Sequence, residues 1–478
     1  MAKMKDNCHV LLVTFPSQGQ INPSLQFAKC LIKLGVNVTF STSLSAQNCM
    51  LNNLPSIEGL TFAPFSDGYD NGYPNVGKSL DEYREFYASF IALGSEFVSR
   101  IFTDRAKEGR PFSRIIYTTV LSWVGIVAKR LNAPATLLWI QPATLLDIYY
   151  YYFTSYKDAF KNCPDDEDKS LEIPGLPFLV GTREIPSFLL SSDGLMDWLI
   201  QTMKEHVELI NSESNEIVLV NTFDALEFEA LRAIKNVNMV GIGPLVPSSF
   251  LDGKNPSDTC YGCNLRQCSK DYMEWLNSKP SASVVYVAFG SYSELPKQMM
   301  EEIAKGLVQS ERPFLWVVNG EKPLENLSCK DELEKQGKIV SWCSQVEVLQ
   351  HPSLGCFLMH CGWNSTLESL VFGIPVVACP LWTDQGCNST LIQDVWKTGV
   401  RVNANEEGVV EGAEFKRCIE IVMEDRKEGE ELRKNAKKWR DIAKNTMKED
   451  GSSNVNLKAY VDEVLKPCIR DYERCINS

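Results

Sequence analysis

A chain of 478 residues is long enough for two to four domains with sizeable cores, and 44% apolar with 23% charged residues is the balance of an ordinary soluble globular protein. The formal charge of −13 excludes nucleic acid and anionic membrane surfaces as general partners. The longest apolar runs, such as VVYVAF at 284–289, fall well short of the ~18 residues of a membrane span. The short apolar run after the N-terminal lysines leads into PSQGQ without a small-residue cleavage pattern, so the cytoplasm is the expected compartment and a monomer the expected state.

From the N-terminus onward, apolar runs of strand length alternate with helical patterns. HVLLVTF (9–15) leads through a glycine turn into a helix predicted from Ile21. VNVTFST (36–42), RIIYTT (114–119) with the helix WVGIVAKRL behind it, ATLLWI (135–140), EIVLVNTF (216–223) and VNMVGIG (237–243) complete a first series. Residues 243–270 are rich in Pro, Ser, Asp and Gly, lack periodicity, and read as an interdomain linker. A second series follows: ASVVYVAFG (282–290), PFLWVV (313–318), GKIVSWC (337–343), LGCFLMHC (354–361) and IPVVACP (374–380), with helical segments between them. This alternation predicts an α/β protein of two doubly wound, parallel-sheet, Rossmann-like domains, 1–242 and 271–450. The two face each other across a cleft at the carboxyl ends of their strands, the default place for a ligand. The charged segment 424–445 reads as a solvated helix, and 451–478 as a helical tail.

Sixteen cysteines scattered through a chain without a secretory signal read as reduced thiols. Their one cluster, Cys260, Cys263 and Cys268, has no fourth ligand nearby in sequence among His9, His206, His351 and His360. Exposed linker thiols are expected there rather than zinc, and no metal cofactor is expected elsewhere.

The densest chemistry lies in WCSQVEVLQHPSLGCFLMHCGWNSTLESLVFGIPVVACPLWTDQ, the 44 residues from Trp342 to Gln385. The segment holds a flat indole, an amide and a carboxylate in register, and a strand that ends in HCGWNS before a helix. The indole can stack on a base, the amide and carboxylate can hold vicinal hydroxyls, and a helix N-terminus can hold a diphosphate without a metal. In length and fixed residues this segment resembles the plant secondary product signature of UDP-dependent glycosyltransferases of family 1. The two-domain organisation extends the resemblance over nearly the whole chain and implies a GT-B fold.

The resemblance implies a site residue by residue. Trp342 would stack on uracil, Cys343 would meet it through its backbone, and Gln345 and Glu368 would take the ribose. His360, Asn364 and Ser365 would reach the phosphates, with Asn364 and Ser365 opening the helix; Trp363 lies within the same turn, and Ser291 matches a further hydroxyl near the phosphates. Trp382, Asp384 and Gln385 would hold the sugar. A terminal glutamine in the family goes with glucose, so UDP-glucose is the expected co-substrate and no other cofactor is implied.

The acceptor side departs from the family. Relatives carry histidine in GHINP as the base of an inverting transfer, supported by an aspartate after the strand corresponding to IIY. This chain reads GQINP, with Gln20, and IIYTT, with Thr118. An amide accepts no proton near neutral pH. His9 begins a strand and His206 is expected on a solvated helix face, so neither substitutes. Three explanations follow: a replacement made to stall turnover, an acceptor that arrives ionised, or a relay through a carboxylate such as Asp147. WIQPATLLDIYYYYF and VNTFDALE resemble the branch of anthocyanin 5-O-glucosyltransferases and enzymes forming glucose esters of carboxylic acids. Acceptors there are small phenolic, flavonoid or carboxylic metabolites, for which Asp147 and Tyr150 are the candidate contacts; a helix packed by its own aromatics is the other reading of Tyr149 to Phe153. A nucleotide-sugar-binding protein with little activity is the alternative. A dinucleotide oxidoreductase is disfavoured because GxGxxG is absent from the strand-to-helix turns.

Overall fold

The computed structural model describes residues 8–51, 57–72, 80–161, 170–191, 196–212, 216–251, 258, 261, 271–291, 295–318 and 327–466. The thiols of Cys260, Cys263 and Cys268 and most of the 243–270 linker lie outside the described residues. The chain divides into two compact units, one of Met1–Leu179, Phe188–Leu265 and Thr446–Ser478, the other of Val180–Ser187 and Arg266–Asn445.

In the first unit, β1 (His9–Val13), β2 (Asn37–Ser41), β3 (Leu60–Phe62), β4 (Arg114–Thr118), β5 (Ala135–Trp139), β6 (Glu216–Val220) and β7 (Val237–Gly241) form one sheet in the order β3-β2-β1-β4-β5-β6-β7. Every pairing is parallel. Val10, Leu11, Leu12 and Val13 are fully buried, as strands covered on both faces must be, which is why they read as an unbroken apolar run. The order reverses between β1 and β4, and that switch point opens a crevice at the carboxyl ends of the two strands.

One feature of this unit differs from the sequence expectation, and two add to it. The helix after β1 starts at Gln18 rather than Ile21 and runs to Lys33; Gln20 N and Ile21 N both bond the Ser17 carbonyl, at 3.0 and 2.9 Å, so Gln20 sits in the first helical turn. The start of the linker is folded onto the unit: Leu245 belongs to its core, and Asp258 accepts from Ser248 N at 2.8 Å and Lys29 Nζ at 2.7 Å. The tail is also part of the core, through Leu457, Tyr460, Val461 and Leu465. It is pinned by Tyr460 OH donating to Thr136 Oγ1 (3.0 Å) and Ser453 Oγ to the Gly243 carbonyl (2.6 Å).

The second unit repeats the plan with β8 (Val284–Ala288), β9 (Phe314–Val317), β10 (Lys338–Val340), β11 (Leu354–Met359), β12 (Val376–Ala378) and β13 (Gly399–Arg401) in the order β10-β9-β8-β11-β12-β13, all parallel. Its switch point lies between β8 and β11. The solvated helix expected at 424–445 is Lys427–Thr446, preceded by a separate helix Gly412–Met423.

Candidate functional site

At the second unit's switch point, β11 ends in His360 and the chain turns through Cys361 (φ +65°) and Gly362 into the helix Trp363–Phe372. Helix formation starts two residues earlier than a cap at Asn364 and three earlier than one at Ser365 would give, because Gly362 takes the extended cap conformation and Thr366 N returns to its carbonyl at 2.9 Å. Glycine has no side chain to cap with, and the first turn of this helix, Trp363 to Ser365, carries no acidic side chain, so its N–H groups point out of the helix toward the crevice end. Such a turn favours an anion through its oriented N–H groups and the positive helix end. A methyl at Gly362 would overlap Nε2 of His360, so the imidazole lies directly over this backbone. Burial lowers the pKa of His360 to about 4, partly offset by the Ala288 backbone, which leaves a neutral ring that donates one N–H.

Three of the signature's polar side chains meet below this turn. Gln345 Nε2 donates to Ser365 Oγ at 2.9 Å and to Glu368 Oε2 at 2.6 Å, while its carbonyl accepts from Tyr286 OH at 3.2 Å. Both ends of the Gln345 amide are thereby engaged, and the Glu368 carboxylate and Ser365 hydroxyl are fixed relative to each other. Tyr286 OH also lies 3.5 Å from Cys343 Sγ. Trp342, just past β10, is half-buried, and Ser291 follows β8 across the switch point. Trp363 is different: its indole is 4% exposed and packs against Trp396 with centroids 6.1 Å apart, so it serves the interior and presents only its backbone to the turn.

The loop after β12 carries Trp382, Asp384 and Gln385. Trp382 is exposed, whereas Asp384 and Gln385 are buried. Gln385 Oε1 accepts from the amides of Leu381 (2.8 Å) and Trp382 (3.2 Å), which fixes the amide's orientation and leaves its NH2 as the group to offer a ligand. Asp384 accepts from Thr383 Oγ1 and from Asn388 Nδ2, each at 2.9 Å. The same Asn388 nitrogen donates to the Cys361 carbonyl at 2.9 Å, tying this loop to the His360 turn.

In the first unit, Gln20 follows β1 and Thr118 ends β4, at the carboxyl ends of the two strands that flank the switch point. Gln20 Oε1 and Thr118 Oγ1 are both buried and have no hydrogen-bond partner among the described residues. Asp147 lies in the helix Ala143–Tyr151, whose first turn is capped by Glu227: its carboxylate accepts from Ala143 N (3.0 Å), Thr144 N (2.9 Å) and Thr144 Oγ1 (2.7 Å). Asp147 itself is sealed, with neither oxygen bonded. Burial, and then the nearby Glu227, raise its pKa well above the carboxylate range. A carboxyl buried with both oxygens unbonded reaches no acceptor here, unlike the acceptor contact and the relay expected of Asp147. Because burial holds the folded pKa of Asp147 above its unfolded value near ~3.9, its contribution to stability falls as pH rises above that value. Asp147→Asn is therefore expected to raise the melting temperature at pH 7 and to change little near pH 4; a variant equally or less stable than the parent at both pH values would remove this account.

Tyr150 OH donates to Asn236 Oδ1 at 3.3 Å, and its neighbours pack on aromatics: Tyr149 on Trp139 and Phe188, Tyr152 on Phe153 and Phe160. His206, expected on a solvated face, is 1% exposed. It stacks on Tyr117 (6.0 Å, 8°) and sets its edge on Trp139, because the helix Asp197–Asn211 turns this position inward. Burial lowers its pKa to about 4. His9 begins β1 and is engaged on both nitrogens, by Thr39 Oγ1 (2.8 Å) and Arg105 (2.6 Å).

The sequence profile of the UDP-glucoronosyl and UDP-glucosyl transferase family matches residues 245–442. UDP-glycosyltransferase 75C1 of Solanum lycopersicum is 54% identical over 470 residues, 96% of this chain and 99% of that protein. The chain belongs to this family. A chloroplastic crocetin glucosyltransferase of Gardenia jasminoides is 53% identical over 466 residues, covering 96% of this chain and 98% of its own. The crystal structure of Os79 from O. sativa in complex with UDP superposes with a TM-score of 0.82 at 31% identity, over 95% of this chain and 100% of that one. As a member of the family, the chain is a UDP-glucosyltransferase of GT-B fold that acts on small metabolites, with a UDP-sugar as co-substrate. Among the described residues no helix is long and apolar enough to cross a membrane, and no cluster of His, Cys, Asp and Glu is arranged to hold a metal.

Two polar residues of this glycosyltransferase escaped the sequence reading. Asn388 stands four residues after Asp384 on one helical face, a spacing visible in DQGCN. Tyr286 carried no signal, since VVYVA reads as a core strand whichever way its hydroxyl points.

Proposed function

We propose that the chain transfers glucose from UDP-glucose, with inversion, to a hydroxyl or carboxyl group of a small phenolic, flavonoid or carboxylic metabolite in the cytoplasm, at a rate held down by Gln20. The observation that carries the donor half is the linked set Tyr286, Gln345, Ser365 and Glu368 beneath an uncapped helix N-terminus at a switch point. In this reading uracil lies on Trp342 and against the Cys343 backbone, and Glu368, oriented by Gln345, takes the ribose hydroxyls. The diphosphate lies on the first-turn amides with His360, Asn364, Ser365 and Ser291. Asp384 and the Gln385 NH2 hold the sugar beside Trp382.

On the acceptor side, Gln20 Oε1 is a lone buried acceptor where the family's imidazole stands, and Thr118 Oγ1 is its counterpart at the aspartate's place. An amide oxygen accepts a hydrogen bond from an acceptor's OH and so orients it, but it takes no proton at neutral pH. Acceptors that are already anionic, such as carboxylates and acidic phenols, have no proton to lose and need no base; for them the Gln20 NH2, not its oxygen, is the orienting group. The same two residues favour a second reading, a nucleotide-sugar-binding protein with little turnover. Incubation with UDP-glucose and a panel of phenols and carboxylic acids, scored for glucosides, their anomeric configuration and released UDP, separates the two. β-Glucosides with stoichiometric UDP support transfer, whereas bound UDP without product from any acceptor supports the binding protein.

A further inference from the structure

Between the first unit's two long segments, the stretch Val180–Ser187 leaves that unit and belongs to the second. It lies along the sugar loop and the helix Gln385–Thr390 that follows it. Thr383 N donates to Ser187 Oγ at 2.8 Å, and Ser187 N donates back to the Thr383 carbonyl at 3.2 Å. Thr390 Oγ1 donates to Glu184 Oε1 at 3.0 Å, so the strap is fastened at both ends. Between these points a methyl at Gly386 would overlap the carbonyl oxygen of Arg183; the strap therefore needs glycine there to approach so closely.

Thr383 has φ +55°, a left-handed conformation that a β-branched residue adopts only where its surroundings impose it. Both of its backbone polar groups are engaged by Ser187, and its neighbours are Trp382, Asp384 and Gln385. Releasing the Thr383 backbone would let this residue relax toward ordinary φ and swing those three side chains away from their present positions. These hydrogen bonds of the strap go to the loop after β12 and to the helix Gln385–Thr390.

We infer that Ser187 is a positioning residue for the donor sugar: its hydroxyl and backbone hold Thr383 in the conformation that aims Asp384 and Gln385, so that sugar recognition depends on a segment far from the signature in sequence. The inference rests on the assignment of 382–385 to the sugar. It separates two parts of donor affinity, because the strap's hydrogen bonds go to the loop that carries Trp382, Asp384 and Gln385 and to the helix behind it.

Calorimetric titration of UDP and of UDP-glucose into Ser187→Ala, Ser187→Thr, Gly386→Ala and Trp342→Ala tests it. Ser187→Ala is expected to leave UDP affinity unchanged and to lower the ratio of UDP-glucose to UDP affinity about fivefold, the effect of one hydrogen bond. Ser187→Thr, which keeps the hydroxyl, restores the ratio, and Gly386→Ala, which pushes the strap off the loop, lowers it as Ser187→Ala does. Undiminished UDP binding reports that each variant is folded. An unchanged ratio in both Ser187→Ala and Gly386→Ala, or an equal loss for both ligands, overturns the inference while Trp342→Ala still weakens UDP. If Trp342→Ala leaves UDP binding intact, the donor-site assignment fails and the inference with it.

Discussion

Gln20→His is expected to raise turnover on alcohols and weakly acidic phenols by ~10²–10⁴, the usual contribution of a positioned base, and to change turnover on carboxylates little. The residue stands in the first turn of the helix Gln18–Lys33, with its side-chain oxygen buried and unpartnered. An imidazole there replaces an amide whose oxygen has no hydrogen-bond partner to lose. Because Thr118 offers only a hydroxyl, the single variant lacks the carboxylate that orients the ring, and Gln20→His with Thr118→Asp is expected to exceed it. The pH profile carries independent information. The parent's rate follows the ionisation of the acceptor alone, whereas the histidine variant's kcat/KM gains a limb that falls as pH drops below the imidazole pKa, near ~6.5 if unperturbed. A gain below about tenfold on phenols, with UDP-glucose still bound, would show that proton removal is not what limits this chain.

Trp342→Ala is expected to weaken UDP by roughly 5–150-fold, the loss of one base-on-indole stack worth ~1–3 kcal/mol. Trp342→Phe retains part of the affinity. Trp342 is half-buried, so the substitution leaves the fold in place. Trp363→Ala provides the contrast: its indole is buried against Trp396, and its removal is expected to cost ~3–5 kcal/mol of stability through the cavity it leaves. Calorimetric UDP affinity and melting temperature, measured on both variants, should therefore move in opposite columns. Loss of UDP affinity in neither variant would remove the nucleotide from this crevice.

How much of this was legible in advance depended on whether a feature had a local cause. The strands that flank each switch point, HVLLV and RIIYT in one unit and VVYVA and LGCFLM in the other, are apolar throughout because parallel strands are buried on both faces, and composition alone marks them. The edge strands Leu60–Phe62 and Gly399–Arg401 went unmarked, since three residues show no period and only the neighbouring strand holds them extended. His206 had a helical setting consistent with either face, and packing against Tyr117 and Trp139 decided for the interior.

The sequence by itself determined the two α/β series through short-range periodicity, and residue identity carried the resemblance of the segment from Trp342 to Gln385 and the departure from that resemblance at Gln20. Only the tertiary structure decided that Gly362 caps the helix after β11, that Asp147 is sealed, that Trp363 serves the core, and that Ser187 fastens the loop after β12. Each of these depends on which groups meet across long stretches of chain, or on how much water is excluded when they do. Burial and long-range hydrogen bonds are properties of the packed chain and leave no mark in the order of its residues.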